Sequence, residues 1–214
     1  MAEQLAFNMD CLEAMRQMED NAFDLAVVDP PYNVQSLYVK ANSASNANSR
    51  LKKYGNLGAA NNERPGPEYF KELFRVSKNQ IVFGFNHLCD LLPPTTEFIF
   101  WYQHNPVDSY SDGELAWTSF KRTAKCFDYP FFGATGADEV RIHPTQKPVA
   151  LYKWIFTQYA QGGRILDTHL GSGSSRIAAY DLGLDFVGYE LNREFFERQE
   201  ERFRNHTAQL DLFH

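Results

Sequence analysis

Apolar residues along the chain follow two alternating periods, and the switches between them outline a fold. From Asp10 to Glu19 they recur at helical spacing behind Asp10, a residue suited to cap a helix. Residues 24–29 (DLAVVD) form a short apolar run of the kind buried on both faces of a parallel sheet. Pro30-Pro31 halts it, since a central strand does not tolerate proline. The spacing predicts helices over 67–77, with Pro67 in the first turn, and over 147–160, 173–182 and 192–206, with a short one opening at Asn86. It predicts strands over 80–85, 97–103, 164–169 and 185–190, and residues 114–133 read as antiparallel strand material around ELAWTSF and AKCFDYPFF. Strands alternating with helices imply an α/β fold. The expected architecture is a mostly parallel twisted sheet with helices on both faces and an antiparallel hairpin. No internal repeat is visible, and 214 residues suit one domain, 1–214.

The pattern lapses between residues 33 and 65. Asn, Ser, Ala and Gly dominate there, and large apolar residues almost vanish between Ala41 and Arg50. The segment reads as a flexible surface insertion; such loops are functional or simply disordered. The net charge of −6 excludes a protein coated in basic residues. The charge is uneven, however. Residues 40–64 carry Lys40, Arg50, Lys52, Lys53 and Arg64 against Glu63 alone. Such a patch is enough to contact phosphates, although a solvated loop explains it equally well. Cys11, Cys89 and Cys126 are isolated, so neither a zinc site nor a disulfide framework is expected. With no signal-like amino terminus and no long apolar stretch, the expected location is the cytoplasm.

Two loops carry candidate chemistry. In LDTHLGSGSS, residues 166–175, a strand runs into a Gly-rich turn and then a helix. Gly171 and Gly173 let the backbone approach a ligand, and Glu190 ends the following strand, where a doubly wound fold binds the ribose of an adenosine cofactor. Arg176 stands where a dinucleotide fingerprint needs a third glycine, and no Lys follows as in a P-loop. S-adenosylmethionine, which has no phosphate, tolerates this pattern. A tight strand–helix turn is the plain alternative.

The second loop is Asp29-Pro30-Pro31-Tyr32, at the carboxyl end of a buried strand. An exocyclic amine on adenine or cytosine is a poor nucleophile, because its lone pair is delocalised into the ring. A carboxylate and a backbone carbonyl that accept its two hydrogens free that pair. The stiff prolines aim the carbonyl, and the aromatic neighbour suits a base drawn out of the duplex. A solvated Asp in a Pro-Pro turn is the alternative.

Together these residues resemble the amino-methyltransferase family of DNA modification enzymes, in which (D/N/S)-P-P-(Y/F/W) is catalytic and F-x-G-x-G binds S-adenosylmethionine. The order found here, catalytic loop first and cofactor loop last, is that of the β class. A third match, HPTQKP at 143–148, lies between them. FNMDCLEAM resembles the family's opening strand and helix, and RVSKNQIVFGFN and SDGELAWTSF look like phage-borne adenine methylases. The resemblance implies a single Rossmann-like methyltransferase domain acting on double-stranded DNA, with no metal. It implies Asp29, Pro30, Pro31 and Tyr32 as catalytic. It implies Asp10, Cys11, Asp29, His143, Thr145, Gln146, Lys147, Asp167, His169, Gly171, Ser172, Gly173, Glu190 and Leu191 around the cofactor, with Lys147 as partner for the methionine carboxylate. His169 and Thr168 depart from the family's Phe and Pro.

Asp at the first catalytic position favours N6 of adenine over N4 of cytosine, while a non-catalytic binding subunit is a third reading. C5-cytosine chemistry is excluded because no cysteine follows a proline. Segments 33–65 and 126–142 are the expected readers of DNA, with Asn33, Lys40, Arg50, Lys52, Lys53 and Arg64 as contacts; little else is free for a recognition domain, so a short or relaxed target is expected. The exposed tail, 207–214, includes Gln209, Leu210, Asp211, Leu212 and Phe213, which resemble the peptide that docks in bacterial sliding clamps; a tail folded onto the sheet is the alternative.

Overall fold

The apolar runs become strands of one sheet. The computed structural model describes residues 2–32, 63–105, 108, 111–131 and 139–211. Among them the strands are β1 (Gln4–Phe7), β2 (Phe23–Val28), β3 (Ser77–Phe83), β4 (Phe98–Tyr102), β5 (Gly113–Thr118), β6 (Lys125–Asp128), β7 (Ile165–Asp167) and β8 (Phe186–Tyr189). The helices are α1 (Cys11–Met15), α2 (Pro67–Val76), α3 (Phe85–Leu88), α4 (Val149–Tyr159), α5 (Ser174–Asp181) and α6 (Arg193–Asp211). The sheet order is β1-β8-β7-β2-β3-β5-β4-β6. Every neighbouring pair is parallel except β3–β5 and β4–β5, so β5 alone runs against the rest.

Local chemistry explains the elements. Asp10 caps α1 by accepting from the backbone N–H of Leu12 at 2.8 Å and of Glu13 at 3.0 Å. In α2, Pro67 opens the first turn, Glu68 and Arg75 complement the helix dipole, and Tyr69, Phe70, Leu73 and Val76 are buried along one face. Burying each of those four stabilises the fold by roughly 1.5–3 kcal/mol before entropy is counted.

Beyond Asp24, β2 is apolar because both of its faces are covered. Leu25 and Val27 pack with Leu151, Tyr152, Ile155 and Phe156 of α4 and Ala178 of α5. Ala26 and Val28 pack with Met15 of α1 and with Tyr69, Phe70 and Leu73 of α2. This is the two-layered cover expected of a doubly wound sheet.

Three details differ from expectation. β6 was expected to be antiparallel strand material, but it pairs parallel to β4, Phe100 facing Cys126 and Trp101 facing Phe127. The slot between β3 and β4 is filled by β5, so the returning chain joins β4 on its outer side. β3 begins at Ser77, directly where α2 ends, because Ser77 itself takes an extended conformation as the helix C-cap. Helix α6 runs on to Asp211 rather than stopping near residue 206. Of the tail, Leu212 and Phe213 lie outside the described residues, as do the side chains of Gln209, Leu210 and Asp211.

The topology selects one crevice. From β2 the next strand in the chain, β3, lies on one side; from β7 the next strand, β8, lies on the other. β2 and β7 are themselves paired, Ala26 beside Leu166. Their carboxyl ends therefore flank the switch point at which open α/β sheets bind ligands.

Candidate active site

Asp29 follows β2 directly at that crevice. One of its oxygens, Oδ2, accepts from Lys147 Nζ at 2.5 Å; the other, Oδ1, is buried without a hydrogen-bond partner among the described residues. Lys147 Nζ also lies 3.0 Å from Glu114 Oε2 and 4.6 Å from the centre of the Phe83 ring. That second contact is an ion pair without hydrogen-bond geometry. The Lys147 side chain is 2% exposed. Burial opposes its charge, but the attraction of Asp29 and Glu114 prevails and holds the ammonium protonated. Burial raises Asp29 above the usual carboxylate range; Lys147 restrains the rise and Glu114 adds to it.

Lys147 thus reaches Asp29, whereas the resemblance implied the methionine carboxylate of a cofactor as its partner. The reason is electrostatic. A buried ammonium needs carboxylates, and the fold places two within 3.0 Å.

Tyr32 stacks on His87, ring centres 4.7 Å apart and planes 3° from parallel. It also lies against Gly84, which has φ +76° and precedes α3. A Cβ at Gly84 would stand 2.5 Å from Tyr32 Cδ1, so only glycine fits both the backbone and the neighbour. Gly84→Ala is expected to displace Tyr32 and to destabilise the fold by roughly 1–2 kcal/mol from the left-handed backbone alone. The check is calorimetry for cofactor affinity beside kcat/KM for DNA. The second is expected to fall and the first to hold; the reverse would place Tyr32 outside the substrate cavity.

The Gly-rich turn follows β7. Gly171, at φ +52°, donates its N–H to Glu190 Oε2 at 2.9 Å, and Asn192 N–H reaches Glu190 Oε1 at 2.8 Å. Glu190 therefore ties the turn after β7 to the segment after β8, and its carboxylate keeps spare lone pairs. Asp167 is buried, accepting His169 N–H at 3.0 Å and the Ser175 hydroxyl at 2.5 Å. Ser172 is buried in the turn, within 3.1 Å of the Ser174 hydroxyl, and a Cβ at Gly173 would press on Gln199.

His169, where the family has Phe, lies edge-on to Tyr69 with ring centres 5.5 Å apart. Burial lowers its pKa to about 4, so it stays a neutral ring. The Tyr69 and Thr168 hydroxyls meet at 2.6 Å, linking α2 to the turn.

The other expected residues divide. His143 packs beside Gly171, 3.6 Å from where its Cβ would be, and against Phe195; burial, Lys147 and Arg198 lower its pKa to about 4. Thr145 lies 3.2 Å from His143 Nδ1. Gln146 is engaged by its own loop, accepting from Ile142 N–H and donating to Val140 O, so it shapes the 140–147 turn. Asp10 caps α1, and burial and Asp10 push the Cys11 thiol up to about 12. Leu191 is half exposed on the rim. Arg64 is paired with Asp90. Asn33, Lys40, Arg50, Lys52 and Lys53 lie outside the described residues.

Sequence reasoning missed Glu114, Gly84, His87, Tyr69 and Tyr152 as members of this neighbourhood. Glu114 had one signal, a lone acid inside an apolar strand.

A family model described as DNA methylase matches residues 69–201, a range that begins after the Asp29–Tyr32 loop. The chain is 24% identical to the type II methyltransferase M.HpaI of Haemophilus parainfluenzae, over 90% of this chain and 72% of that one. It is 25% identical to M2.MboI of Moraxella bovis, over 94% and 88%. Among solved structures it is similar to an M1.HpyAVI–SAM complex, with TM-score 0.58, 20% identity and coverage of 92% and 98%. The cytosine-N4-specific PvuII DNA methyltransferase matches with TM-score 0.62, 11% identity and coverage of 97% and 93%. With more than half its length matched by the family model, the chain belongs to the N6/N4 DNA methylase family and is a DNA methyltransferase.

Proposed function

We propose that the chain moves a methyl group from S-adenosylmethionine to the N6 amine of adenine in double-stranded DNA. The observation that carries this reading is Asp29 Oδ1, a buried acceptor at the β2/β7 crevice with no hydrogen-bond partner among the described residues. A buried acceptor left unpaired is costly, and a substrate N–H is what would satisfy it.

The site fits the cofactor. Gly171 presents no side chain, Glu190 retains acceptor capacity at the end of β8, and His169 and Tyr69 supply apolar and aromatic wall. When bound, S-adenosylmethionine would supply an electrophilic methyl group, its S–CH3 bond breaking as the N–CH3 bond forms and leaving the neutral thioether S-adenosylhomocysteine. The protein's own groups do the rest. Asp29 Oδ1 accepts one N–H of the target amine, and the Pro30 carbonyl is positioned by its ring to accept the other. Both draw hydrogens away from the base plane and free the nitrogen lone pair. The proton shed as the new N–CH3 bond forms passes to Asp29 Oδ1, whose raised pKa suits an acceptor. Tyr32, held by His87 and Gly84, gives an aromatic wall for a base drawn out of the duplex.

Adenine is preferred because Asp, rather than Ser, opens the catalytic loop. The test incubates labelled S-adenosylmethionine with unmethylated duplex DNA and identifies the product by nucleoside mass spectrometry. N6-methyladenine is expected. N4-methylcytosine would overturn the choice of base, and no label in DNA would favour a non-catalytic subunit.

A further inference from the structure

We propose that Glu114 is a positioning residue for this transfer: from the start of β5 it holds Lys147 in place, so that the ammonium stays on Asp29 Oδ2 and Oδ1 remains the acceptor for the target amine. The inference rests on the reading of Asp29 given above.

The geometry assigns the role. β5 is the one reversed strand, so its first residues, not its last, lie at the edge where β2 and β7 end. Glu114 is opposite Trp101 of β4 in register and reaches Lys147 with Oε2 at 3.0 Å. Its other oxygen accepts from Gln103 Nε2 at 2.9 Å, which fixes the carboxylate from the β4–β5 side. Gln103 is itself anchored by its backbone N–H to Asp112 O at 2.9 Å. Lys147 has three donors and an apolar wall, Phe83, on another side. With Asp29 as its sole anion, the ammonium would be free to bridge both Asp29 oxygens and cover Oδ1. Glu114 draws it away from that position.

The three charges also sum to minus one, the complement of one sulfonium. The other titratable groups facing the pair are Tyr32 after β2, Tyr69 on α2, His143 before α4, Tyr152 on α4 and Asp167 at the end of β7; Asp29 and Glu114 carry the anionic charge nearest Lys147. Glu114 raises the proton affinity of both Asp29 and Lys147.

Glu114→Gln keeps an acceptor for Gln103 and removes the charge. Single-turnover rate, KM for DNA, cofactor affinity and the pH profile are measured on the full chain. The expected result is a fall in the transfer rate of roughly 10- to 100-fold with KM for DNA little changed. The acid limb of the profile is expected to move to lower pH, because Asp29 loses an anionic neighbour. An unshifted acid limb, or a loss confined to KM, overturns the proposal, since a purely structural role would leave the limb in place. If Glu114→Gln does not fold, Gln103→Ala decides: a slower transfer at unchanged KM supports the proposal, and an unchanged rate rejects it. A wild-type chain that transfers no methyl to DNA, or one whose transfer survives Asp29→Asn, defeats the underlying function instead. Asp29-dependent transfer that is indifferent to Glu114 defeats the positioning role alone.

Discussion

Asp29→Asn is expected to slow methyl transfer by roughly 10³-fold while leaving a folded protein, within the range seen for loss of a general base. Asparagine keeps the shape of the carboxylate but cannot take the proton released by the amine. Its amide also presents donors where the mechanism needs an acceptor. The fold is expected to survive because Lys147 keeps Glu114 at 3.0 Å, so the buried ammonium is not left without an anion. A melting temperature within about 4 °C of wild type, beside the lost single-turnover rate, is the expected pair of readings. Cofactor affinity, measured by calorimetry, is expected to change little, since the Gly171 turn is held by Glu190 independently of Asp29. A variant that still transfers methyl at near the wild-type rate would remove Asp29 from the chemistry.

The second large effect concerns stability. Burial raises Asp167 from 3.8 to about 7, against the opposing hydrogen bonds from Ser175 and His169. A carboxyl whose folded pKa lies above its unfolded value favours the folded state when protonated. Its contribution is complete below pH ~4 and is lost as the pH rises through about 7. Asp167→Asn removes that titration. Relative to the variant, wild type is therefore expected to lose about 4 kcal/mol between pH ~4 and pH ~7, with no further change above. Urea melts of both proteins across that range give the difference directly. Parallel curves would show that Asp167 is solvated enough to ionise at no cost. The side chain lies at the end of β7, just before the turn that carries Gly171, so the same variant reports on that turn: Asn retains an acceptor for His169 N–H, while its NH2 reverses the bond that Ser175 Oγ now donates.

Much of this molecule was legible without coordinates, and the reasons are local. Asp10 caps α1 because a short acceptor before an apolar helix satisfies free N–H groups wherever it occurs. Pro30 ends β2 because it has no N–H to give a neighbouring strand. Gly171 and Gly173 take positive φ because a sharp strand-to-helix turn demands it. The spacing of Gly171 and Glu190 was equally readable, since one strand–turn–helix–strand unit separates them, and the two meet at 2.9 Å.

What sequence spacing left open depends on partners far apart in the chain. Lys147 and Asp29 are separated by 118 residues, and nothing in HPTQKP says which anion its lysine will meet. The answer came from the sheet order, which sets β5 between β3 and β4 and so brings Glu114 from an amino-terminal strand end to the carboxyl edge. The same order makes β6 parallel to β4, because the inner slot is already filled. Periodicity reports which face of an element is buried; it carries no record of which strand lies beside it. The chain by itself thus determined its α/β class and the positions of its two loops at strand ends. The tertiary structure decided that two carboxylates from separate segments meet one buried lysine, because a buried ammonium persists only beside anions.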